Sequence, residues 1–142
     1  MANYSSWLFV VGILIIFIAS CKKDDNINPE IENSKTLASI ETLEVSGVTD
    51  DSAVSGGNIT DDGGEQITSR GVCWSIKITP TINDNKTNDG TGIGYFKSVI
   101  SNLEPTTTYY LRAYATNSLG TSYGNTFSFT TRESSGLPPL KP

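Results

Sequence analysis

The sequence contains no histidine and only two cysteines in 142 residues. Histidine is the commonest general base near neutral pH and a common metal ligand, so its absence removes the usual centre of acid–base or metal chemistry. The sequence also lacks a glycine-rich phosphate loop, a set of metal ligands and a motif that pairs two carboxylates. No block of lysine and arginine occurs, which argues against a nucleic-acid partner. These absences predict a protein that is not an enzyme and needs no cofactor or metal.

Long hydrophobic runs are also scarce, and the clearest one lies at the N-terminus, over residues 7–18 (WLFVVGILIIFI). It is shorter than the roughly 20 residues that a membrane-spanning helix requires. Ala19, Ser20 and Cys21 follow it, and the charged residues begin at Lys22. This arrangement resembles the lipobox of a bacterial lipoprotein. The resemblance implies that residues 1–20 are a signal peptide, cleaved before Cys21, and that the Cys21 thiol carries lipid.

Two other interpretations of this N-terminus stay open. The apolar run also has the length of the hydrophobic region of an ordinary secretory signal peptide, and an uncleaved anchor is a further alternative. Residues 1–6 contain no lysine or arginine, and Ile18 stands where leucine is more usual. The lipoprotein interpretation predicts a protein whose lipid attaches it to the outer membrane of a Gram-negative bacterium.

A lipidated Cys21 leaves Cys73 as the second and last cysteine, so no intramolecular disulfide can form. Small exported domains often depend on disulfides, and this one must depend on its hydrophobic core. A nucleophilic thiol needs a basic partner nearby. Without a histidine in the chain, we do not expect Cys73 to be catalytic.

Residues 21–36 are predicted to form the lipidated N-terminus and a tether, because they are polar and show no periodicity. Lys23-Asp24-Asp25 resembles the lysine-then-acid tag that follows the lipidated cysteine in lipoproteins exported to the surface of some Gram-negative bacteria. The alternatives are a plain solvated spacer and an anchor that faces the periplasm. We expect surface exposure.

From residue 37 onward, short alternating apolar runs are separated by Gly, Asp, Asn and Pro about every ten residues, which is typical of an antiparallel sandwich or barrel. The predicted strands are Leu37–Val48, Ala53–Thr60, Ile67–Ile76, Gly94–Ser101, Thr107–Asn117 and Asn125–Thr131, with a short strand near Thr79–Ile82.

Four segments in order, RGVCWS, NDGTGIGYF, TTYYLRAYATN and YGNTFSFTT, resemble a subfamily of fibronectin type III-like repeats in exported bacterial proteins. The run from Leu103 through Pro105 to Asn117 resembles the corner and strand that precede the last strand of such domains. The resemblance implies an all-β, seven-stranded antiparallel Greek-key sandwich over residues 37–132, followed by a linker-like tail at 133–142.

Alternation assigns faces within these strands, because successive side chains point to opposite sides. It predicts that Tyr109 and the odd positions up to residue 115 face the core. Tyr109 is placed where its hydroxyl can bond to backbone upstream, as in a tyrosine corner that Leu103 and Pro105 fix. Trp74 is predicted to face inward and to fill the space left by Gly56 and Gly57.

The even positions Tyr110, Arg112 and Tyr114 are predicted to face outward, and we consider them candidate ligand-binding residues because Tyr and Arg are enriched at binding hot spots. The alternative is that they pack over Gly71 and stabilise the sheet. Residues 84–90 carry oxygen ligands suited to calcium, but their spacing favours a turn-rich loop. Asp51-Ser52-Ala53 resembles a short O-glycosylation acceptor.

The sequence therefore predicts a lipid-anchored interaction or spacer module at the cell surface, with the membrane and a protein or glycan as partners. The alternatives are a glycan-binding accessory lipoprotein of a polysaccharide uptake system and a remnant of a larger surface protein.

Overall fold

The computed structural model describes residues 34–136. The predicted signal peptide, Cys21, most of the tether and the end of the tail lie outside the described residues. Eight strands occur within the described part: β1 Ser39–Thr42, β2 Ala53–Asp61, β3 Ser69–Ser75, β4 Asn85–Lys86, β5 Gly94–Ile100, β6 Thr108–Asn117, β7 Gly120–Tyr123 and β8 Phe127–Thr130. No segment there forms a helix long and apolar enough to cross a membrane.

The strands form two antiparallel sheets, one in the order β1–β2–β5 and the other in the order β4–β3–β6–β7, with β8 also paired to β6. The predicted all-β two-sheet sandwich is confirmed. The register pairs Val72 with Ala113 and Trp74 with Leu111. Since opposed residues in an antiparallel pair share a face, all four point toward the interior.

Three strand predictions were wrong in detail. Residues 79–82 form no strand, and the short strand lies instead at β4, where Asn85 pairs with Trp74. The first strand is shorter than predicted, because regular pairing with β2 ends at Thr42. Beyond it, Leu43 still bonds to Gly56 and Ser55 of β2, and Ser46 forms an isolated bridge with Val54. β7 was not predicted at all.

The last edge of the second sheet is interrupted between β7 and β8, and Thr42 from the opposite sheet explains the break. Its hydroxyl accepts a hydrogen bond from the buried Ala113 N–H of β6 at 2.9 Å. The Gly124 N–H donates to the Ala113 carbonyl at 3.0 Å, and Thr42 is so close that position 124 has no room for a Cβ. The side chain of Thr42 thus replaces one rung of the ladder and ties the two sheets together.

The core is built from alternating side chains of both sheets, and the odd positions of β6 from Tyr109 to Ala115 lie in it, as predicted. The gap at Gly57 is filled by Phe96 of the neighbouring strand β5. A Cβ at position 57 would lie 2.7 Å from the Phe96 ring and 2.8 Å from the Ala113 Cβ. The prediction that Trp74 fills this space was therefore wrong, although Trp74 does pack against the core, half-buried.

The described chain enters and leaves the sandwich at opposite ends. At the entry end, Thr36 N–H donates to Gly63 O, and the turn between β6 and β7 lies beside them because Asn117 bonds to Thr36. At the exit end, Arg132 N–H donates to Thr49 O at 2.9 Å, close to the loops 45–52 and 101–107. The length of the sandwich therefore separates Thr36 from Arg132.

Candidate binding site

The outer face of β6, predicted to be an open binding surface, is largely covered. Residues 76–84, here called the covering segment, leave β3 and fold over this face. Pro80 of this segment is fully buried, and its carbonyl accepts a hydrogen bond from Arg112 Nε at 2.5 Å. Further along, the Ile82 N–H donates to the Tyr123 hydroxyl at 3.2 Å. The segment therefore reaches from β3 across β6 to β7.

Tyr114 lies on the same face and is covered by Thr87, which follows β4. The Tyr114 side chain is only 2% exposed and lies opposite Gly71 in the register, so Tyr114 packs over Gly71, as the alternative interpretation predicts, and is not an accessible ligand-binding residue. Its hydroxyl donates to Thr87 O at 2.6 Å, across Gly71, where a side chain would collide with Thr87. Burial raises the pKa of the Tyr114 hydroxyl, which therefore remains a donor. Alternation identified the correct face but could not show that another segment lies over it.

Arg112 and Tyr110 differ in which of their polar groups could still bind a ligand. The Arg112 guanidinium lies 3.9 Å from the centre of the Tyr123 ring, and its Nε–H donates to the Pro80 carbonyl, so one face of the group and one of its donors are already engaged within the fold. Tyr110 is half-buried, and its hydroxyl has no hydrogen-bond partner among residues 34–136. The three predicted ligand-binding residues thus share a face but do not form an open platform.

Cys73 lies on the same face and is completely buried. Burial raises the pKa of its thiol to about 11, although the positive charge of Arg112 acts in the opposite direction. The thiol donates to the Arg112 carbonyl at 3.5 Å. A neutral, inaccessible thiol is a poor nucleophile, since the thiolate is the reactive form.

The predicted tyrosine corner has the expected geometry. The Tyr109 hydroxyl accepts a hydrogen bond from the Glu104 N–H at 3.1 Å, and its ring stacks on Phe129 with centroids 5.8 Å apart. Leu103 is buried beneath this corner, whereas Pro105 is exposed. The bond fixes the turn that leads from the first sheet into β6.

Removing only the Tyr109 hydroxyl tests this bond. We expect Tyr109→Phe to lower the free energy of unfolding by about 1–2 kcal/mol, because the part-buried Glu104 N–H loses its acceptor. Tyr110→Phe is the matched control, since that neighbouring hydroxyl has no partner in the described structure, and it should change stability by less than about 0.5 kcal/mol. Urea unfolding of both variants measures the difference, and equal losses would contradict the proposed role of the corner.

The carboxylates of residues 84–90 are bonded to neighbouring groups of the protein. Asp84 accepts hydrogen bonds from the backbone N–H and hydroxyl of Thr81, which lower the pKa of its carboxyl group. Asp89 accepts from Thr87 and Ser98, at 2.6 and 2.5 Å. Within residues 34–136, no three His, Cys, Asp or Glu side chains are grouped so that they could hold a metal ion. Ser52 of the predicted glycosylation acceptor is half-buried and bonded to Thr49 at 2.6 Å.

Sequence reasoning missed two concave features. One is an apolar groove of about 450 Å³ on the outer face of β2 and β5, beside the ring of Tyr95, which is 74% exposed. The other is a pocket of about 360 Å³ between the edge strands β4 and β5, with Trp74 in its wall. Neither could be found from alternation, because each depends on how segments that are distant in the sequence approach in space.

No protein-family model matches this chain, and no curated protein matches it. Several solved structures do match this chain. A structure described as a myokine is 16% identical, with 69% of this chain and 100% of that chain covered and a TM-score of 0.52. The sensor domain of the anti-sigma factor RsgI4 of Pseudobacteroides cellulosolvens is 17% identical over 75% of this chain and 91% of that chain, with a TM-score of 0.50. A fibronectin type III domain of human collagen XX is 20% identical over 68% and 94%, with a TM-score of 0.49.

At these identities the likeness concerns the fold alone. The strand order in the two sheets, β1–β2–β5 and β4–β3–β6–β7, is that of a fibronectin type III-like sandwich, and the chain has this fold. Domains of this fold are commonly non-enzymatic binding or spacer modules, and the function of any one of them resides in its surface sites.

Proposed function

We propose that this protein is a lipid-anchored, non-enzymatic module that holds an interaction surface away from the outer membrane of a Gram-negative bacterium, on the outside of the cell. The observation that carries the proposal is the separation of the entry and exit ends of the sandwich. A lipid on Cys21 lies on the entry side of the chain. The 15 residues from Lys22 to Thr36 reach at most roughly 50 Å when fully extended.

The exit end and the covering segment carry the exposed features that such a module would present. Ile76 and Ile78 of the covering segment are each 68% exposed. The absence of histidine, the buried neutral thiol of Cys73 and the internally bonded carboxylates of residues 84–90 all favour binding over catalysis.

Surface orientation can be tested with a single added thiol. In the lipidated chain, Ile78→Cys should react with a membrane-impermeant maleimide on intact cells of a Gram-negative host that exports surface lipoproteins. The unsubstituted chain is the matched control and should stay unlabelled, because Cys73 is buried with a pKa of about 11. Labelling of the Ile78→Cys variant only after lysis would place the domain in the periplasm and overturn the surface location.

A further inference from the structure

The pocket between β4 and β5 has the composition of a ligand site rather than of a packing defect. It lies where the edges of the two sheets approach each other, and the half-buried indole of Trp74 forms part of its wall. Asn85, Ser101, Asn102 and Tyr109 also line the pocket. The volume of about 360 Å³ is at the small end of the range for small-molecule sites.

Several hydrogen-bonding groups in this pocket are unused. No residue of the described part of the chain accepts a hydrogen bond from the Trp74 indole N–H, and this nitrogen is not completely buried, because every completely buried side-chain nitrogen and oxygen there has a partner. The Asn85 amide has no partner within residues 34–136. The Tyr109 hydroxyl accepts from Glu104, which leaves its own proton free to donate. Asn102 makes one long bond, of 3.5 Å, to Ser101.

The charge of the lining favours a neutral ligand. No Asp or Glu lines the pocket, and Lys86 is its one charged residue. The Lys86 ammonium already donates to the Ile82 carbonyl at 2.7 Å. Amide and hydroxyl groups, which both donate and accept, therefore dominate the lining. They suit a ligand whose own groups also both donate and accept hydrogen bonds.

We propose that this pocket binds a neutral sugar unit of a glycan. A sugar ring has an apolar C–H face, which can lie against the indole, and a rim of hydroxyls, which can bond to Asn85, Asn102 and the Trp74 N–H. The proposal names the partner class of the interaction module proposed above. It rests on that interaction role but does not depend on the lipid anchor. The pocket lies beside the 101–107 loop, at the exit end of the sandwich.

The other two surfaces fit a sugar less well. The outer face of β6 is closed by the covering segment, and Arg112 is engaged there. The groove beside Tyr95 is lined mainly by apolar groups, among them Leu43 and Val54. Of the three surfaces described in residues 34–136, the pocket at Trp74 is the one that combines an aromatic wall with several unused polar groups.

The test uses the mature chain from residue 21 with Cys21→Ser, which carries no lipid and in which Trp74 is the only tryptophan. Neutral oligosaccharides of glucose, xylose, galactose or mannose are titrated in turn, and the fluorescence of Trp74 is recorded. We expect at least one series to change the emission with a saturable, millimolar or tighter dissociation constant.

Two variants then locate the site. Asn85→Ala, and Asn102→Gly at a position whose φ of 60° glycine also adopts, should each weaken binding about 3- to 10-fold, the effect of one lost hydrogen bond. Tyr95→Ala and Tyr110→Ala, outside the pocket, should leave the dissociation constant unchanged.

The proposal is overturned if no neutral oligosaccharide changes the emission. It is also overturned if neither asparagine variant weakens binding, or if acidic glycans bind more tightly than neutral ones. Because the tested chain lacks the lipid, failure here leaves the anchor and the surface location untouched. A failed lipidation experiment likewise leaves this binding site untouched.

Discussion

Replacing Cys21 by serine is expected to abolish lipid attachment completely. Serine has no thiol on which the diacylglycerol thioether could form, so a bacterial host supplied with a tagged fatty acid should label the unsubstituted chain but not Cys21→Ser. Each buried acyl methylene contributes about 0.8 kcal/mol to membrane binding, and stable anchoring needs more than one chain. The unsubstituted mature protein should therefore enter the detergent phase in a detergent–water partition.

The second cysteine supplies the matched control for this experiment. Cys73→Ser changes a buried thiol in β3 and leaves the sequence around residue 21 intact, so this variant should still incorporate the fatty acid. The mass of the mature N-terminus provides a second measurement, since lipidation and cleavage before residue 21 change it together. Equal fatty-acid labelling of the unsubstituted chain and Cys21→Ser would contradict the lipoprotein interpretation, and labelling of neither would favour ordinary secretion.

The fold was predictable from the sequence because most of its signals are local. Alternation in Thr108–Asn117 identified which side chains enter the core, and the turn residues between the runs separated the strands. The tyrosine corner needed only the spacing between Leu103 and Tyr109. These features depend on residues that are close together in the sequence, so a sequence pattern is enough to predict them.

The candidate sites were less predictable, because they depend on contacts between distant segments. Nothing near Tyr114 in the sequence indicates that Pro80 and its neighbours fold across that face. Likewise, the break between β7 and β8 is caused by Thr42, which lies 71 residues before its partner Ala113. The pocket at Trp74 arises where β4 meets β5, and the sequence analysis placed the short strand at residues 79–82 instead. A misplaced edge strand conceals any site that lies along it.

The filling of the gap at Gly57 shows the same limit within the core. The sequence analysis assigned Trp74 to this gap and did not consider Phe96. Phe96 is directly opposite Gly57 in the register of β2 and β5, so its ring crosses the glycine within one sheet. Choosing between the two required the register, which alternation alone does not give.

Phe96→Ala is accordingly expected to be the most destabilising of the substitutions considered, with a loss of about 3–5 kcal/mol in the free energy of unfolding. The ring is 7% exposed, covers Gly57 and lies beneath the Arg70 guanidinium, 5.2 Å from its centre. Removing the ring leaves a cavity that Gly57, which has no side chain, cannot fill. In a domain of this size the melting temperature should fall by at least about 10 °C. Tyr95→Ala, one residue earlier but on the exposed face, should shift stability by less than about 0.5 kcal/mol.

A double substitution makes the argument specific to the contact between Phe96 and Gly57. Gly57→Ala alone should destabilise the protein by about 1–3 kcal/mol, because the new Cβ overlaps the Phe96 ring and the Ala113 Cβ. In the Phe96→Ala background the ring is gone, so the same change should cost less, and the two effects should not add. Thermal and urea unfolding of the four proteins measures this coupling. Strict additivity, or a Tyr95→Ala loss as large as that of Phe96→Ala, would show that the Phe96 ring does not occupy the space over Gly57.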